Sequence, residues 1–349
     1  MGYYDQVEKE TTLKIREQLS ILPSFCKDFI RSIEPRTTSK TRLAYCYDLQ
    51  IFFNFLKSNN PTLKNKTIEL SDIDNVKFQD IEEYMEFLKY YKDKNDIEVS
   101  NSVTGIKRKV ATLRSFYKYF YNNELIKNNP AAKIKLPKLR EKEIIRLDIN
   151  EVVDFLNAVE SGDKLSKSEQ KYHQKTKTRD IALLSLLLGT GIRVSECIGI
   201  NISDVDLKNT AIRIKRKGAK EAIVYFSDEV LKPLSEYIDE RKKNLEVDPK
   251  DSDALFLSLQ NKRITARSVQ KLVKKYAEGV TPLKHITPHK LRSTFGTNLY
   301  QETDDIYLVA SVLGHNDVNT TKKHYAAIED NKKRLARNSV KLREENDKK

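Results

Sequence analysis

The sequence predicts a mainly α protein of two domains, with one small antiparallel β element in the second. Three observations predict it. Apolar residues recur at helical spacing through the first 140 residues and again beyond residue 228. Between the halves, NNPAAKIKLPKLREKE (128–143) carries two prolines and many charges and lacks helical period, as an extended linker does. TAIRIKRKGAKEAIVYF (210–226) alternates instead and has a glycine at its centre, the signature of a β-hairpin. At 349 residues the chain is long for one domain, and each half can bury its own core.

The first 140 residues read as helical throughout. TRLAYCYDLQIFFNFLKS (41–58) sets Leu43, Tyr47, Ile51, Phe52 and Phe55 on one face. DIEEYMEFLKYYKD (80–93) does the same with Ile81, Tyr84, Met85 and Leu88. SVTGIKRKVATLRSFYKYFYNNELI (102–126) gathers Ile106, Val110, Leu113, Phe116, Tyr117 and Phe120. Its other face holds Lys107, Arg108, Lys109, Arg114 and Lys118; such a run is ordinarily a solvated face, but charges nearly all of one sign raise the expectation of phosphate contact. We set the first domain at 1–138, the linker at 139–146 and the second domain at 147–349. LDINEVVDFLNAVE (147–160) reads as a helix capped by Asp148 or Asn150. SGDKLSKSEQKYHQKTKTRD (161–180) reads as a polar loop leading into IALLSLLLG (181–189), a buried core helix too short to span a bilayer. After the hairpin come helices at 228–245, 265–277, 288–301, 304–313 and 317–325. The charged tail NKKRLARNSVKLREENDKK (331–349) suits either a partner-docking helix or a solvated end.

Charged residues make up 33% and hydrophobic ones 39%, which excludes a disordered chain. The formal charge of +14 favours a polyanionic partner, nucleic acid first; the alternative is a merely soluble basic protein. Cys26, Cys46 and Cys197 are scattered in apolar contexts. No pair has metal-knuckle or redox spacing, so reduced buried thiols in a cytoplasmic protein are expected. The polar start MGYYDQVEKE has no signal-peptide or myristoylation pattern, and no membrane anchor is expected. No phosphate-loop, paired-histidine or carboxylate-cluster motif is present, so neither metal nor cofactor is expected.

Five elements carry chemistry. GTGIRVSE (189–196) places Arg193 after a glycine break beside apolar helices, where a guanidinium needs an anionic partner; a salt bridge to Glu196 is the plain alternative. KRKGAKE (215–221) puts Lys217 at the hairpin turn, where a basic residue is also ordinary. TPHKLRSTFG (287–296) starts a helix with Thr287 as cap and Pro288 first. His289 and Arg292 then lie one turn apart at the end whose dipole attracts anions. LGHND (313–317) carries His315 after a short apolar helix, where a histidine more often bonds the helix end. NTTKKHYAAIED (319–330) carries Tyr325, one of 17 tyrosines.

The ordered set Arg, Lys, His-x-x-Arg, His, Tyr resembles the tyrosine site-specific recombinases, the integrase and Xer group. TGIRVSE, RKGAK, TPHKLRSTFG, LGHNDVNTT and the tyrosine that follows carry the resemblance, which covers nearly the whole chain. Residues 41–135 look like that family's helical, SAM-like core-binding domain. TPHKLR and RKGAK are most similar to the single-recombinase Xer type of Gram-positive bacteria, and mobile-element integrases are also similar. In the family the tyrosine usually follows the LGH histidine by nine residues; here Tyr325 follows His315 by ten and His324 holds the ninth place.

The resemblance implies strand exchange without hydrolysis, metal or ATP. Tyr325 attacks a DNA phosphate to give a 3′-phosphotyrosyl bond and a free 5′-hydroxyl. Arg193 and Arg292 clamp the phosphate oxygens, His289 accepts the tyrosine proton, Lys217 protonates the leaving oxygen, His315 donates a hydrogen bond and Glu196 supports the site. The partner is double-stranded DNA, met by Lys107, Arg108 and Arg114 on one domain. On the other, Arg267, Gln270 and Lys274 line one side of ITARSVQKLVKKY (264–276). The tail packs on a neighbouring subunit in a tetramer on two DNA sites; whether an accessory protein takes part is left open. The rival readings are a type IB topoisomerase, which shares the residue set, and a non-catalytic DNA-binding accessory protein. Whether the task is chromosome dimer resolution, inversion or mobile-element integration and excision stays open.

Overall fold

The computed structural model describes residues 2–93, 95–137, 145–216, 218, 220–315 and 317–318. The chain divides into two compact units, Met1–Lys142 and Glu143–Lys349.

The first unit is helical apart from one hairpin. Its helices are α1 (Tyr3–Ile21), α2 (Cys26–Ser32), α3 (Ser39–Asn59), α4 (Leu70–Asp74), α5 (Phe78–Phe87) and α6 (Val103–Asn122). The α6 face emerges as its period predicts: Ile106, Val110, Leu113, Phe116, Tyr117 and Phe120 are all buried. With Phe25, Phe29, Phe52, Phe53 and Tyr84 they form an aromatic core of mostly edge-on pairs. Three expectations need correction. Helix α5 ends at Phe87, and Tyr90–Lys92 (β1) pairs antiparallel with Glu98–Ser100 (β2). Tyr47 faces outward while Cys46 and Leu49 face in, because α3 turns its stripe toward α1 and α6. Ala131 and Ile134, read as linker, are buried in this unit's core. Residues 138–144, most of the remaining expected linker, lie outside the described residues.

The second unit is built on one long helix. Its elements are α7 (Ile149–Ser161), α8 (Lys167–Thr190), α9 (Val194–Cys197), β3 (Val205–Asp206), β4 (Ala211–Lys215), β5 (Glu221–Tyr225), α10 (Asp228–Lys243), α11 (Ala266–Glu278), α12 (Pro288–Thr303) and α13 (Ile306–Leu313). The polar stretch expected as a loop is instead the first half of α8. Ser166 caps it: the Ser166 hydroxyl accepts the Glu169 N–H at 3.4 Å, and Glu169 accepts the Ser166 N–H at 3.0 Å. His173, Thr176 and Asp180 of that half are buried, and Asp180 accepts the Tyr276 hydroxyl at 3.0 Å, which holds α8 to α11. The apolar half, Ala182 to Leu187, is fully covered by α10, α12 and α7. Asp148 is the α7 cap. The hairpin forms as predicted, with Lys215 opposite Glu221, and a short third strand, β3, joins it in the order β3-β4-β5. No helix among the described residues is long and apolar enough to cross a membrane.

Candidate active site

Helix α8 stops at Thr190 because Gly191 takes a left-handed conformation, φ +62°. Only glycine suits the place, since a Cβ there would lie 2.3 Å from Phe295 and 2.9 Å from Leu313. The tight turn delivers Arg193 to the start of α9. Glu196, 4% exposed, accepts the Arg193 backbone N–H at 2.8 Å and its Nη1 at 2.7 Å. The salt bridge offered as the plain alternative therefore exists, but it does not exhaust the guanidinium. Nη2 of Arg193 donates to the carbonyl of Gly314 at 3.2 Å, and the side chain keeps 38% exposure.

Arg292 arrives from α12. It is 5% exposed, and its Nη1 donates to Gly191 O at 2.7 Å while Nη2 donates to Leu313 O. A third guanidinium comes from the end of β4: Arg216 donates to Val312 O at 2.9 Å and Ser311 O at 3.5 Å. Four consecutive carbonyls, 311 to 314, thus receive three arginines from three elements. These carbonyls are the last turn of α13, which has no helical donors left to meet and carries the negative end of the helix dipole. That partial charge makes it possible to gather three cations in one place. Because the dipole offsets only part of their charge, the cluster remains cationic and suits an oxyanion such as a phosphate.

His315 leaves this same turn. Its backbone N–H donates to Ala310 O at 2.9 Å, and that of Gly314 to Ser311 O at 3.0 Å. Gly314 sits at φ +62°. This is a Schellman closure, which fixes the direction in which His315 departs. His289 lies in the first turn of α12 and is exposed. Pro288 opens that helix as expected, but the Thr287 side chain makes no capping bond. Lys217 and Tyr325 lie outside the described residues, as do residues 319–325 of the helix expected at 317–325 and the tail.

On the outward side of α11, Arg267, Gln270 and Lys274 are all exposed, opposite the buried Val269, Leu272, Val273 and Tyr276. Lys274 also pairs with Glu278 at 3.4 Å. The basic face of α6 is different. Lys107 is half-buried, and Lys109 is buried with its Nζ on Asn101 at 2.8 Å. Arg108 gives both Nη groups to Asp48, and Arg114 reaches the carbonyls of Ala131 and Ile134. Much of that charge therefore ties the first unit to itself. All three cysteines are free and buried. Burial pushes the Cys46 thiol up to about 11 and raises those of Cys26 and Cys197 further, so none is poised as a nucleophile. The residue that sequence reasoning passed over is Arg216; its only signal was its place beside Lys217.

Two family models match the chain: the phage integrase family over residues 145–332 and the phage integrase SAM-like domain over residues 22–136. The chain belongs to the phage integrase family. It is 32% identical to the tyrosine recombinase XerC of Caldanaerobacter subterraneus subsp. tengcongensis, an alignment covering 98% of this chain and 95% of that protein. It is 31% identical to the tyrosine recombinase XerS of Streptococcus uberis over 92% and 96% of the two chains. Its fold is similar to that of the XerH site-specific recombinase in a post-cleavage complex with palindromic difH substrate. That match has a TM-score of 0.64 and 21% identity and covers 95% of this chain and 88% of that one. The family and these relatives favour a tyrosine recombinase over the topoisomerase and the accessory protein.

Proposed function

We propose that this integrase-family chain cuts and rejoins double-stranded DNA at specific sites through a 3′-phosphotyrosyl intermediate. One observation carries the reading most directly: Arg193 and Arg292, distant in sequence, donate to the adjacent carbonyls of Gly314 and Leu313, one turn from which His315 departs. In the reaction both guanidiniums hold the non-bridging oxygens of the scissile phosphate, where charge grows in the transition state. The Tyr325 oxygen attacks phosphorus, the bond to the 5′-oxygen breaks, and the electron pair leaves on that oxygen. His289 accepts the phenol proton, Lys217 supplies one to the leaving oxygen, and His315 donates to a phosphate oxygen. Glu196 holds Arg193 by its bidentate contact. The ester conserves the energy of the broken bond, so a 5′-hydroxyl from a partner duplex reverses the step without ATP.

The exposed Arg267, Gln270 and Lys274 of α11 face a DNA groove, and Lys107, with what remains of the Arg108 and Arg114 donors, meets phosphate. Two duplexes are exchanged in a tetramer whose subunits dock through the tail, in the cytoplasm, where buried thiols stay reduced. The task is resolution of chromosome dimers or movement of an element. The test is capture of covalent adducts. Purified chain is incubated with fragmented genomic DNA of its source, denatured in detergent, and the attached fragments are sequenced. The wild-type chain attaches at one shared sequence, and Tyr325→Phe binds the same DNA without attaching. Adducts that persist in Tyr325→Phe, or that form at no preferred sequence, overturn the reading.

A further inference from the structure

We infer that Arg216 is a positioning residue for the active site: it fixes the last turn of α13 and, through it, His315. The inference rests on the role proposed for His315. Arg216 follows β4, where its backbone N–H still bonds Lys220 O at 2.8 Å and closes the neck of the hairpin. The neck therefore presents the side chain from a fixed base. The guanidinium spans the last turn of α13, with Nη2 on Val312 O and Nη1 toward Ser311 O. Nη1 also occupies the space in front of Gly314: a Cβ on that glycine would lie 1.9 Å from it. Gly314 is thus constrained twice, by its left-handed φ and by the arginine packed on it. The Ser311 carbonyl that Arg216 approaches also accepts the Gly314 N–H, half of the closure from which His315 leaves.

The other two arginines bond the next two carbonyls of this turn, Leu313 and Gly314, and are themselves candidates to hold phosphate. Arg216 differs from them. It meets the turn from the hairpin rather than from α9 or α12, and it bonds the carbonyls of Ser311 and Val312. Without it, the carbonyls of 311 and 312 lose their cationic partner, while Leu313 and Gly314 keep theirs. Displacing a catalytic group by about 1 Å is enough to cost on the order of a hundredfold in rate. The hairpin thereby gains a mechanical link to a histidine far from it in sequence.

The experiment is a double-mutant cycle on single-turnover cleavage. The duplex carries the sequence recovered by adduct capture, in excess of its dissociation constant. Arg216→Ala is expected to slow cleavage by about 10- to 100-fold and His315→Ala by a comparable amount. The double variant is expected to be slower than His315→Ala by less than about threefold, because residues acting as one unit are not additive. Arg216→Lys, which keeps the charge but not the fork, should recover part of the rate, and it decides the question if the alanine variant does not fold. Full additivity, or unchanged cleavage in the Arg216 variants, overturns the inference. A second arm uses a 5′-bridging phosphorothiolate, whose thiolate leaves without a proton. Rescue of Arg216→Ala there assigns the residue to leaving-group protonation and also overturns the route through His315. If His315→Ala alone cleaves at full rate, the role of His315 fails and the inference fails with it. If His315→Ala is slow and the cycle is additive, only the inference fails.

Discussion

At the scale of single residues, the sequence exposed cations but not what they bond. Arg193 and Arg292 stood out because a guanidinium beside apolar helices needs a partner. Arg108 and Arg114 look like phosphate contacts in sequence because their charges share one sign with their neighbours, and the sequence does not show their partners on other elements. Asp48, 1% exposed on α3, accepts both Nη groups of Arg108 and the Thr112 hydroxyl at 2.8 Å. Burial raises the Asp48 pKa, and Arg108 and Thr112 pull it back only in part. The sign follows. The unfolded carboxyl ionises first as pH rises, so this group costs stability from its unfolded pKa upward and most above its folded one. Removing Arg108 deepens that cost. Arg108→Ala is expected to destabilise the first unit by about 2–3 kcal/mol at neutral pH, less than the ~3–5 kcal/mol of a fully buried pair because its side chain is 49% exposed. Denaturant titrations should show that deficit shrinking on acidification as Asp48 takes up a proton. A deficit constant with pH would contradict this account.

At the scale of elements, periodicity located helices well and polar helices badly. The first half of α8 looks like a loop in sequence because its polar residues dominate, although Ser166 and Glu169 spell a capping box. Its buried residues, His173, Thr176 and Asp180, are polar, and they pay their burial through bonds to Tyr276 and to one another. The short strands β1, β2 and β3 carry too few residues to show alternation. The turn that ends α8 was legible as a glycine break, and the structure gives its reason. Gly191→Ala should cost about 1–2 kcal/mol for a left-handed non-glycine residue. It adds about 1–3 kcal/mol for overpacking against Phe295 and Leu313. Because Gly191 O also holds Arg292, cleavage of the mapped duplex should fall with the melting temperature. A variant with unchanged melting would refute the close approach.

At the scale of the whole molecule, each unit carries its own core. The aromatic cluster that runs from Ile15 to Ile134 lies wholly within the first unit. A domain with a complete core folds alone. A fragment ending at Lys142 should therefore melt in one cooperative transition, followed by circular dichroism, with its near-ultraviolet signal intact. A gradual transition would mean that the second unit completes that core. The excess of +14 belongs to this scale as well. It indicates a polyanionic partner, yet not which cations face it, since Arg108, Lys109 and Arg114 are engaged by Asp48, Asn101 and the carbonyls of Ala131 and Ile134.

By itself the sequence determined the helical class, the division into two helical halves and the β-hairpin, and it carried the resemblance to the family that the matches bear out. Those properties depend on local period and residue type, which a chain carries before it folds. Only the tertiary structure decided that three guanidiniums share the last turn of one helix. Their partners are backbone carbonyls, which every residue has and no sequence pattern distinguishes; packing alone chose which carbonyls would meet them.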